Sequence, residues 1–262
     1  MTEDIVLQYD KRGMNLLATH LPLHYCTKAA RELLQQKRGK VLIVTGFYAG
    51  GVGETDGPAG AYFLALALQR LNFSPIIVTD KYSFSYFADK QIKVVLFQEN
   101  NIADLLHNCQ AMISVERCGR AIDGQYYNMK KGNITAYTPP IDEFFVVGKD
   151  ILQIGIGDGG NEIGMGNLKS VIERDLNIIP SCINCHHLIV ATVSNWGAYG
   201  LINELGREVN MSLLPPCTDI EIFTNDIVKK GAKDGISCLS APTIDGFPLN
   251  IECDIVDQLR NL

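Results

Sequence analysis

The sequence lacks the long apolar and basic segments that mark membrane proteins and nucleic-acid-binding proteins. Its most apolar stretch, residues 61–68, is far shorter than the roughly 18–20 apolar residues that span a bilayer. The formal net charge is −6, and lysine and arginine are dispersed without a basic run. The N-terminus is acidic and has neither an apolar signal core nor an arginine-rich leader. We therefore expect no nucleic-acid partner, no membrane partner and a cytoplasmic location.

Several common catalytic signatures are also missing. No glycine loop continues into the Gly-Lys-Ser/Thr of a Walker A motif, and no G-x-S-x-G elbow is present. Cys182 and Cys185 have C-x-x-C spacing, but no second ligand pair for zinc follows them. The 8 cysteines are scattered through a chain too long to need a disulfide framework. They are interpreted as reduced thiols that mostly fill the core.

Strand-like and helix-like segments alternate along most of the chain. This pattern predicts a doubly wound, mostly parallel α/β sheet with helices on both faces, a Rossmann-like three-layer sandwich. We expect one domain over residues 1–262 with an N-terminal helical arm over residues 1–40. Strands are predicted over residues 41–47, 74–80, 92–97, 111–116, 150–155 and 188–194. Helices are predicted over residues 27–38, 58–71, 102–109, 198–209, 218–231 and 252–261, and a further one follows the fifth strand and ends near residue 174.

The loop after the first predicted strand, residues 46–58, is rich in glycine and contains Glu54 and Asp56. Ligands of doubly wound sheets bind outside the carboxyl ends of the strands, and this loop lies there. Two acids beside a helix N-terminus are well placed to contact a ligand. The alternative is a flexible connector with solvated acids.

A second acidic glycine loop, residues 155–164, follows the fifth predicted strand. Gly155, Gly157 and Gly160 match G-x-G-x-x-G, which by itself indicates a dinucleotide site. Asp158 and Glu162 would repel a pyrophosphate unless a metal intervened. Oxygen ligands of this kind favour Mg, Mn or Ca over Zn. The candidate metal ligands are Asp56, Asp158, Asn161 and Glu162. A tight turn whose carboxylates cap the next helix is the alternative.

Two more loops follow predicted strands. Arg117 and Arg120 are suited to a bidentate grip on a substrate carboxylate, and Glu116 to the role of base or metal ligand. A structural Arg–Glu network is the alternative. After the sixth strand, Ser194 and Asn195 are candidates for hydrogen bonds to a substrate, next to the only Trp in the chain.

Four long strings of the sequence resemble the D-glutamate cyclase family. They cover residues 54–61, 116–120 together with 126–129, 156–166 and 193–199, and they occur in order along the chain. The resemblance is to the C-terminal domain of that family, and residues 245–246 are compatible with it. It implies a lyase that reversibly dehydrates D-glutamate to 5-oxo-D-proline.

This activity assigns expected roles to the candidate residues. Glu116, Glu54 and Asp158 form the expected catalytic set, assisted by a divalent metal. Substrate contacts are expected from Arg117, Arg120, Asn128, Ser194, Asn195 and the backbone of Gly157, Gly159 and Gly160. The expected partner is a small anionic molecule such as an amino acid, and a homodimer is the commonest default assembly. Two alternatives stay open: a metal-dependent hydrolase of a small anionic substrate, and a non-catalytic module that binds a small molecule or nucleotide.

Overall fold

Six parallel strands form the central sheet of the protein. The computed structural model describes all residues 1–262. The strands are β1 (Lys40–Thr45), β2 (Ser74–Thr79), β3 (Lys93–Leu96), β4 (Cys109–Val115), β5 (Leu152–Gly157) and β6 (His187–Val190). They are hydrogen-bonded in the order β3-β2-β1-β4-β5-β6, and every neighbouring pair is parallel. This is the strand order of the Rossmann fold, with its topological switch point between β1 and β4.

Ten helices surround the sheet. They are α1 (Thr2–Val6), α2 (Met14–Ala18), α3 (Tyr25–Gln35), α4 (Pro58–Arg70), α5 (Ile102–Leu106), α6 (Glu143–Val147), α7 (Lys169–Asp175), α8 (Ser194–Val209), α9 (Cys217–Lys229) and α10 (Leu249–Arg260). No helix is long and apolar enough to cross a membrane.

The alternation of side chains along the strands divides the core between the two faces of the sheet. In β1, Val41 and Ile43 belong to a large apolar cluster with residues of α3, α4 and α8, whereas Leu42 and Val44 belong to a smaller cluster with residues of α5 and α6. A strand buried on both faces must be apolar at consecutive positions, as this β-branched run is. The doubly wound α/β fold predicted from the sequence is therefore confirmed.

Helix α4 illustrates how local sequence defines an element. Pro58 occupies the first turn, where its fixed φ suits the helix and its missing N–H costs nothing. Gly57 precedes it with φ +92°, and a Cβ there would lie 2.7 Å from Cβ of Glu116. Only glycine allows both this backbone and the close approach of the loops that follow β1 and β4. The helix is apolar on most sides because it is buried beneath α8.

The boundary between β6 and α8 differs from the prediction. The sequence predicts a strand to residue 194 and a helix from residue 198, but β6 ends at Val190 and α8 begins at Ser194. The helix starts early because the Asp56 carboxylate accepts hydrogen bonds from the backbone N–H groups of Ser194 and Asn195. A cap supplied from 138 residues away leaves no local signal.

Two short antiparallel ribbons lie outside the sheet. One joins Tyr48–Ala49 to Val52–Gly53 within the loop after β1, and the other joins Thr243–Ile244 to Phe247–Pro248. Asp245 and Gly246 connect the second ribbon with φ +51° and +78°. Positive φ at both central residues is typical of the type I′ hairpin turn, for which Asp-Gly is a preferred sequence.

One pair of cysteines differs from the expectation of reduced thiols. Cys217 at the start of α9 and Cys253 in α10 form a disulfide with their Cα atoms 5.3 Å apart. The other six cysteines are free, and three of them, Cys26, Cys109 and Cys118, are buried. The disulfide closes a loop that contains the second ribbon and Asp245.

Candidate functional site

A cavity of about 180 Å³ opens at the carboxyl edge of the sheet, beside the switch point between β1 and β4. The loop after β1 contributes Phe47, Tyr48 and Glu54 to its walls, β4 is followed by Glu116, and β5 by Asp158. The remaining walls come from both ends of the chain, from the segment after β4 and from the loop after β5. They include Arg12, Asn128, Met129, Lys130, Asn161, Gly235, Ile236 and Asp245. Its volume lies below the usual range for drug-sized ligands, so it suits a small metabolite.

Two buried residues that do not line the cavity, Asp56 and Asn195, connect the N-termini of α4 and α8 by hydrogen bonds. Asp56 accepts hydrogen bonds from the backbone N–H groups of Ser194 and Asn195, each at 2.9 Å. Asn195 Oδ1 accepts from the N–H groups of Gly57 at 3.1 Å and Gly60 at 2.7 Å. Asp56, which precedes α4, thus caps the N-terminus of α8, and Asn195 in α8 caps the N-terminus of α4. Burial, followed by the charge of Asp245, raises the pKa of Asp56 to about 7.

Glu116 occupies the first position after β4 in a left-handed conformation, with φ +46°. A non-glycine residue rarely adopts this backbone, and it directs the buried carboxylate towards the cavity. Ser194 Oγ donates a hydrogen bond to Glu116 Oε2 at 2.5 Å. Burial raises the pKa of Glu116 well above its ordinary value, and the charges of Asp158 and Glu162 raise it further.

Arg12 is the only cation bonded to the acidic groups of the site. Its Nη2 donates to Asp158 Oδ2 at 2.8 Å, to Asp245 Oδ2 at 2.5 Å and to the carbonyl of Thr192 at 2.5 Å. Burial opposes the charge of Arg12, but the two carboxylates outweigh it and raise the pKa of the guanidinium. For Asp245, burial and then the charge of Asp158 raise the pKa to about 8, against the opposing effect of Arg12.

Glu54 lines the cavity with a carboxylate that forms no hydrogen bond or ion pair. Only its backbone is paired, through a hydrogen bond to the carbonyl of Phe47. Burial raises the pKa of Glu54 well above its ordinary value, and the charges of Asp245 and Asp56 add to this. A buried, unpaired carboxyl group with a raised pKa is a candidate for proton transfer at neutral pH.

In the glycine loop after β5, a backbone N–H group is hydrogen-bonded to the side chain of Glu162, which belongs to the same loop. The N–H of Gly160 donates to Glu162 Oε2 at 2.8 Å, so it is not free to bind a phosphate or an oxyanion. Gly157, Gly159 and Gly160 do not line the cavity. The loop leads into a 3₁₀ turn at Met165–Leu168 before α7 begins, whereas a dinucleotide loop opens directly into a long helix.

The structure does not bring Arg117 or Arg120 to the cavity. Arg117 is buried, where it pairs with Asp80 and donates to the carbonyls of Gly46 and Pro139. Arg120 binds Asp142 and Glu143. Both arginines have the structural partners that the sequence left open as the alternative to substrate binding.

The other candidate residues fall into two groups. Glu54, Glu116, Asp158, Asn128 and Asn161 line the cavity, whereas Asp56, Glu162, Ser194 and Asn195 lie behind its wall. Asn128 Oδ1 accepts from the backbone of Lys130 and Gly132 and so shapes the loop at the cavity rim.

Two residues of the site, Arg12 and Asp245, were not predicted from the sequence. Both come from segments that are distant in sequence from the sheet edge. Asp245 had one usable signal, because Asp-Gly between two short β-like segments predicts a hairpin turn. Nothing in the local pattern around Arg12 indicates that its side chain reaches residues 158 and 245.

Comparisons with known proteins identify the family of the chain. The family model for D-glutamate cyclase-like C-terminal domains matches residues 3–260. The human mitochondrial D-glutamate cyclase is 29% identical over 276 aligned residues, which cover 84% of this chain and 45% of the human protein. The chain thus spans less than half the length of that relative.

Among solved structures, an exopolyphosphatase-related protein from Bacteroides fragilis superposes with a TM-score of 0.44 and 11% identity, over 92% of this chain and 57% of that one. A likeness at that level carries no information on function. The family model, in contrast, covers nearly the whole chain, which therefore belongs to the D-glutamate cyclase-like, C-terminal family.

Proposed function

We propose that the protein is a lyase that reversibly dehydrates D-glutamate to 5-oxo-D-proline. The observation that carries this proposal is a small cavity at the switch point whose walls combine Glu54, Glu116 and Asp158 with two cations, Arg12 and Lys130. Glutamate has one ammonium group and two carboxylates, so a cavity with both signs of charge complements it. Membership of the D-glutamate cyclase-like family supports the same reaction.

The chemistry requires proton transfer without net gain or loss of protons. The amine nitrogen attacks the γ-carboxyl carbon, a C–N bond forms, and a C–O bond breaks as water leaves. The ammonium group loses two protons, and the departing oxygen gains two. A carboxyl group that accepts a proton from nitrogen and returns it to oxygen therefore serves both halves of the reaction.

Glu54 is the residue best suited to this proton transfer. It lines the cavity, its carboxylate has no hydrogen-bond or ion-pair partner to disrupt, and burial raises its pKa, which favours proton uptake. Glu116 and Asp158 supply negative charge that attracts the substrate ammonium group. A divalent cation bound among the acids would polarise the γ-carboxyl group as a Lewis acid.

Arg12 is placed to hold the α-carboxylate of the substrate. Its Nη2 is occupied by Asp158 and Asp245, but Nη1 contacts only the sulfur of Met129, at 3.4 Å. A thioether is a weak acceptor, so a carboxylate oxygen would replace it favourably. Lys130 is exposed at the rim and can neutralise the same group. The cavity also holds the substrate folded back, which favours an intramolecular attack.

The test is product formation from D-glutamate and, in parallel, from L-glutamate. Purified protein is chelated and then assayed without metal and with Mn²⁺ or Mg²⁺, and 5-oxoproline is detected by chiral chromatography. We expect product from the D isomer alone, restored by metal. Absence of product under every condition, from folded protein, would contradict the cyclase and favour a hydrolase of a small anionic substrate.

A matched pair of variants assigns the proton transfer. Glu54→Gln is expected to lower kcat by about 10²–10⁴-fold, the range that general acid–base catalysis contributes. Glu99→Gln removes an exposed carboxylate that does not line the cavity and is expected to leave kcat unchanged. Equal activity of the two variants would remove Glu54 from the mechanism.

A further inference from the structure

We propose that Glu116, Asp158, Glu162 and Asn161 form a binding site for one divalent cation with oxygen ligands. This inference deepens the proposed function, on which its catalytic meaning rests, but binding of the cation can be measured without any substrate. It differs from the sequence-based ligand set by replacing Asp56 with Glu116.

The three carboxylates are arranged at the distances that a cation requires. One oxygen from each of Glu116, Asp158 and Glu162 lies within 4.8 Å of the others. Mg²⁺ and Ca²⁺ bind oxygen at about 2.0–2.6 Å, so ligand atoms on opposite sides of the ion are about 4–5 Å apart. The three side chains are 5%, 2% and 1% exposed, respectively. The group can therefore close around one ion without a large rearrangement.

The charge of these carboxylates is largely uncompensated. Asp158 is paired with the Arg12 guanidinium. The Glu116 carboxylate accepts a hydrogen bond only from the hydroxyl of Ser194, and the Glu162 carboxylate accepts one only from the N–H of Gly160. Burial of a carboxylate without a cation costs several kcal/mol. A divalent cation would remove that cost for all three groups at once.

Asn161 supplies an independent observation. Its Nδ2 donates to the carbonyl of Tyr127 at 2.8 Å, which fixes the orientation of the amide. Its Oδ1 is buried and has no hydrogen-bond partner. A Cβ built on Gly159 would lie 3.0 Å from Asn161 Oδ1 and 2.7 Å from Glu162 Oε1, so these two oxygens lie close together on the same side of Gly159. Buried oxygens without partners are rare, and a cation ligand is one of the roles that explains them.

The neighbouring group of acids has its partners already. Asp56, Asp158 and Asp245 also lie within 4.8 Å of one another. Arg12 Nη2 binds Asp158 and Asp245, and the N-terminus of α8 donates two N–H groups to Asp56. The guanidinium is the cation of this group, so the ion belongs on the other side of Asp158.

The test is Mn²⁺ binding to the chelated full-length chain, measured by calorimetry and by electron paramagnetic resonance of free Mn²⁺. We expect one ion per chain for the wild type. Glu162→Gln and Glu116→Gln each remove one charged ligand and are expected to weaken binding at least about 10-fold. Asp56→Asn removes a buried charge of the neighbouring group and is expected to change the affinity by less than about 3-fold.

Thermal unfolding distinguishes lost ligands from lost structure. Mn²⁺ should raise the Tm of the wild type and leave the Tm of Glu162→Gln nearly unchanged, whereas without metal that variant should be at least as stable as the wild type. Absence of binding to the wild type at about 1 mM Mn²⁺, or equal affinity of wild type and Glu162→Gln, would overturn the proposal. Binding without turnover of D-glutamate would instead reject the proposed function and leave the cation site intact.

Discussion

Asp56 and Asn195 each cap the helix that begins beside the other. The Asp56 carboxylate accepts the first N–H groups of α8, and the Asn195 amide oxygen accepts N–H groups at the start of α4. The two helices follow β1 and β6, so these hydrogen bonds connect helices that follow the first and last of four neighbouring strands of the sheet.

The first prediction concerns these two helix caps. Asp56→Ala and Asn195→Ala should each lower the free energy of unfolding by about 1–2 kcal/mol, because each removes hydrogen bonds at the start of a helix and leaves one N–H group, that of Asn195 or of Gly60, without an acceptor. Asp56→Asn keeps an acceptor oxygen and should cost less. Urea denaturation at pH 7 measures all three variants. Loss below about 0.3 kcal/mol for both alanine variants would show that the caps contribute nothing.

The second prediction concerns the arginine of the site. Arg12→Met should lower the free energy of unfolding by about 3–5 kcal/mol, because it leaves the buried carboxylates of Asp158 and Asp245 without their cation. The matched control is Arg31→Met, which breaks an exposed ion pair with Glu208 and should cost less than about 1 kcal/mol. Chemical denaturation compares the two. Equal losses would mean that the Arg12 pairs behave as surface pairs.

The third prediction is a pH dependence that arises from Glu252. This buried residue accepts a hydrogen bond from Trp196 Nε1 at 2.5 Å, and burial raises its pKa from 4.5 to about 7. A raised carboxyl pKa means that the folded state holds the proton more tightly. The resulting stabilisation is complete below about pH 4.5 and is lost as the pH rises through about 7.

Glu252→Gln keeps an acceptor for Trp196 and removes the titration. Relative to the wild type, the variant should gain stability as the pH rises from 5 to 8, by a total of about 3 kcal/mol. Unfolding by urea at several pH values measures the difference. Parallel stability curves for the two proteins would rule out a raised pKa at this position.

The fourth prediction concerns the disulfide between α9 and α10. Cys217 and Cys253 are 36 residues apart, and a bond that closes such a loop stabilises the fold by about 4 kcal/mol through the entropy of the unfolded chain. A dithiol reductant should therefore lower the unfolding midpoint of the wild type and leave that of Cys217→Ser unchanged. Alkylation of denatured, unreduced protein should modify six of the eight cysteines. Modification of all eight would contradict the bond.

Much of the fold could be predicted because its signals are local. Each of the six strands is an apolar, β-branched segment between turn residues, and Pro58 and Gly57 mark the start of α4. The start of α8 could not be predicted, since its cap comes from Asp56 in a loop 138 residues away. Long-range caps have no periodicity or spacing by which a sequence reveals them.

The site could be predicted only in part, for a similar reason. Glu54, Glu116 and Asp158 directly follow strands or lie in the loops after them, and the parallel sheet brings such residues to one edge. Arg117 is equally well placed by that rule, but its side chain is paired with Asp80 and does not line the cavity. Arg12 and Asp245 reach the site from the two ends of the chain, where the rule gives no information.

The most direct test of the central claim is exchange of oxygen between water and D-glutamate. Reversible cyclisation loses one γ-carboxyl oxygen as water, and ring opening takes one from the solvent. In water enriched in ¹⁸O, the wild-type protein should therefore transfer label into the γ-carboxyl group of D-glutamate, as measured by mass spectrometry. L-glutamate and the Glu54→Gln variant should show no transfer above the rate without protein. Unlabelled D-glutamate after prolonged incubation with folded, metal-loaded protein would contradict the account.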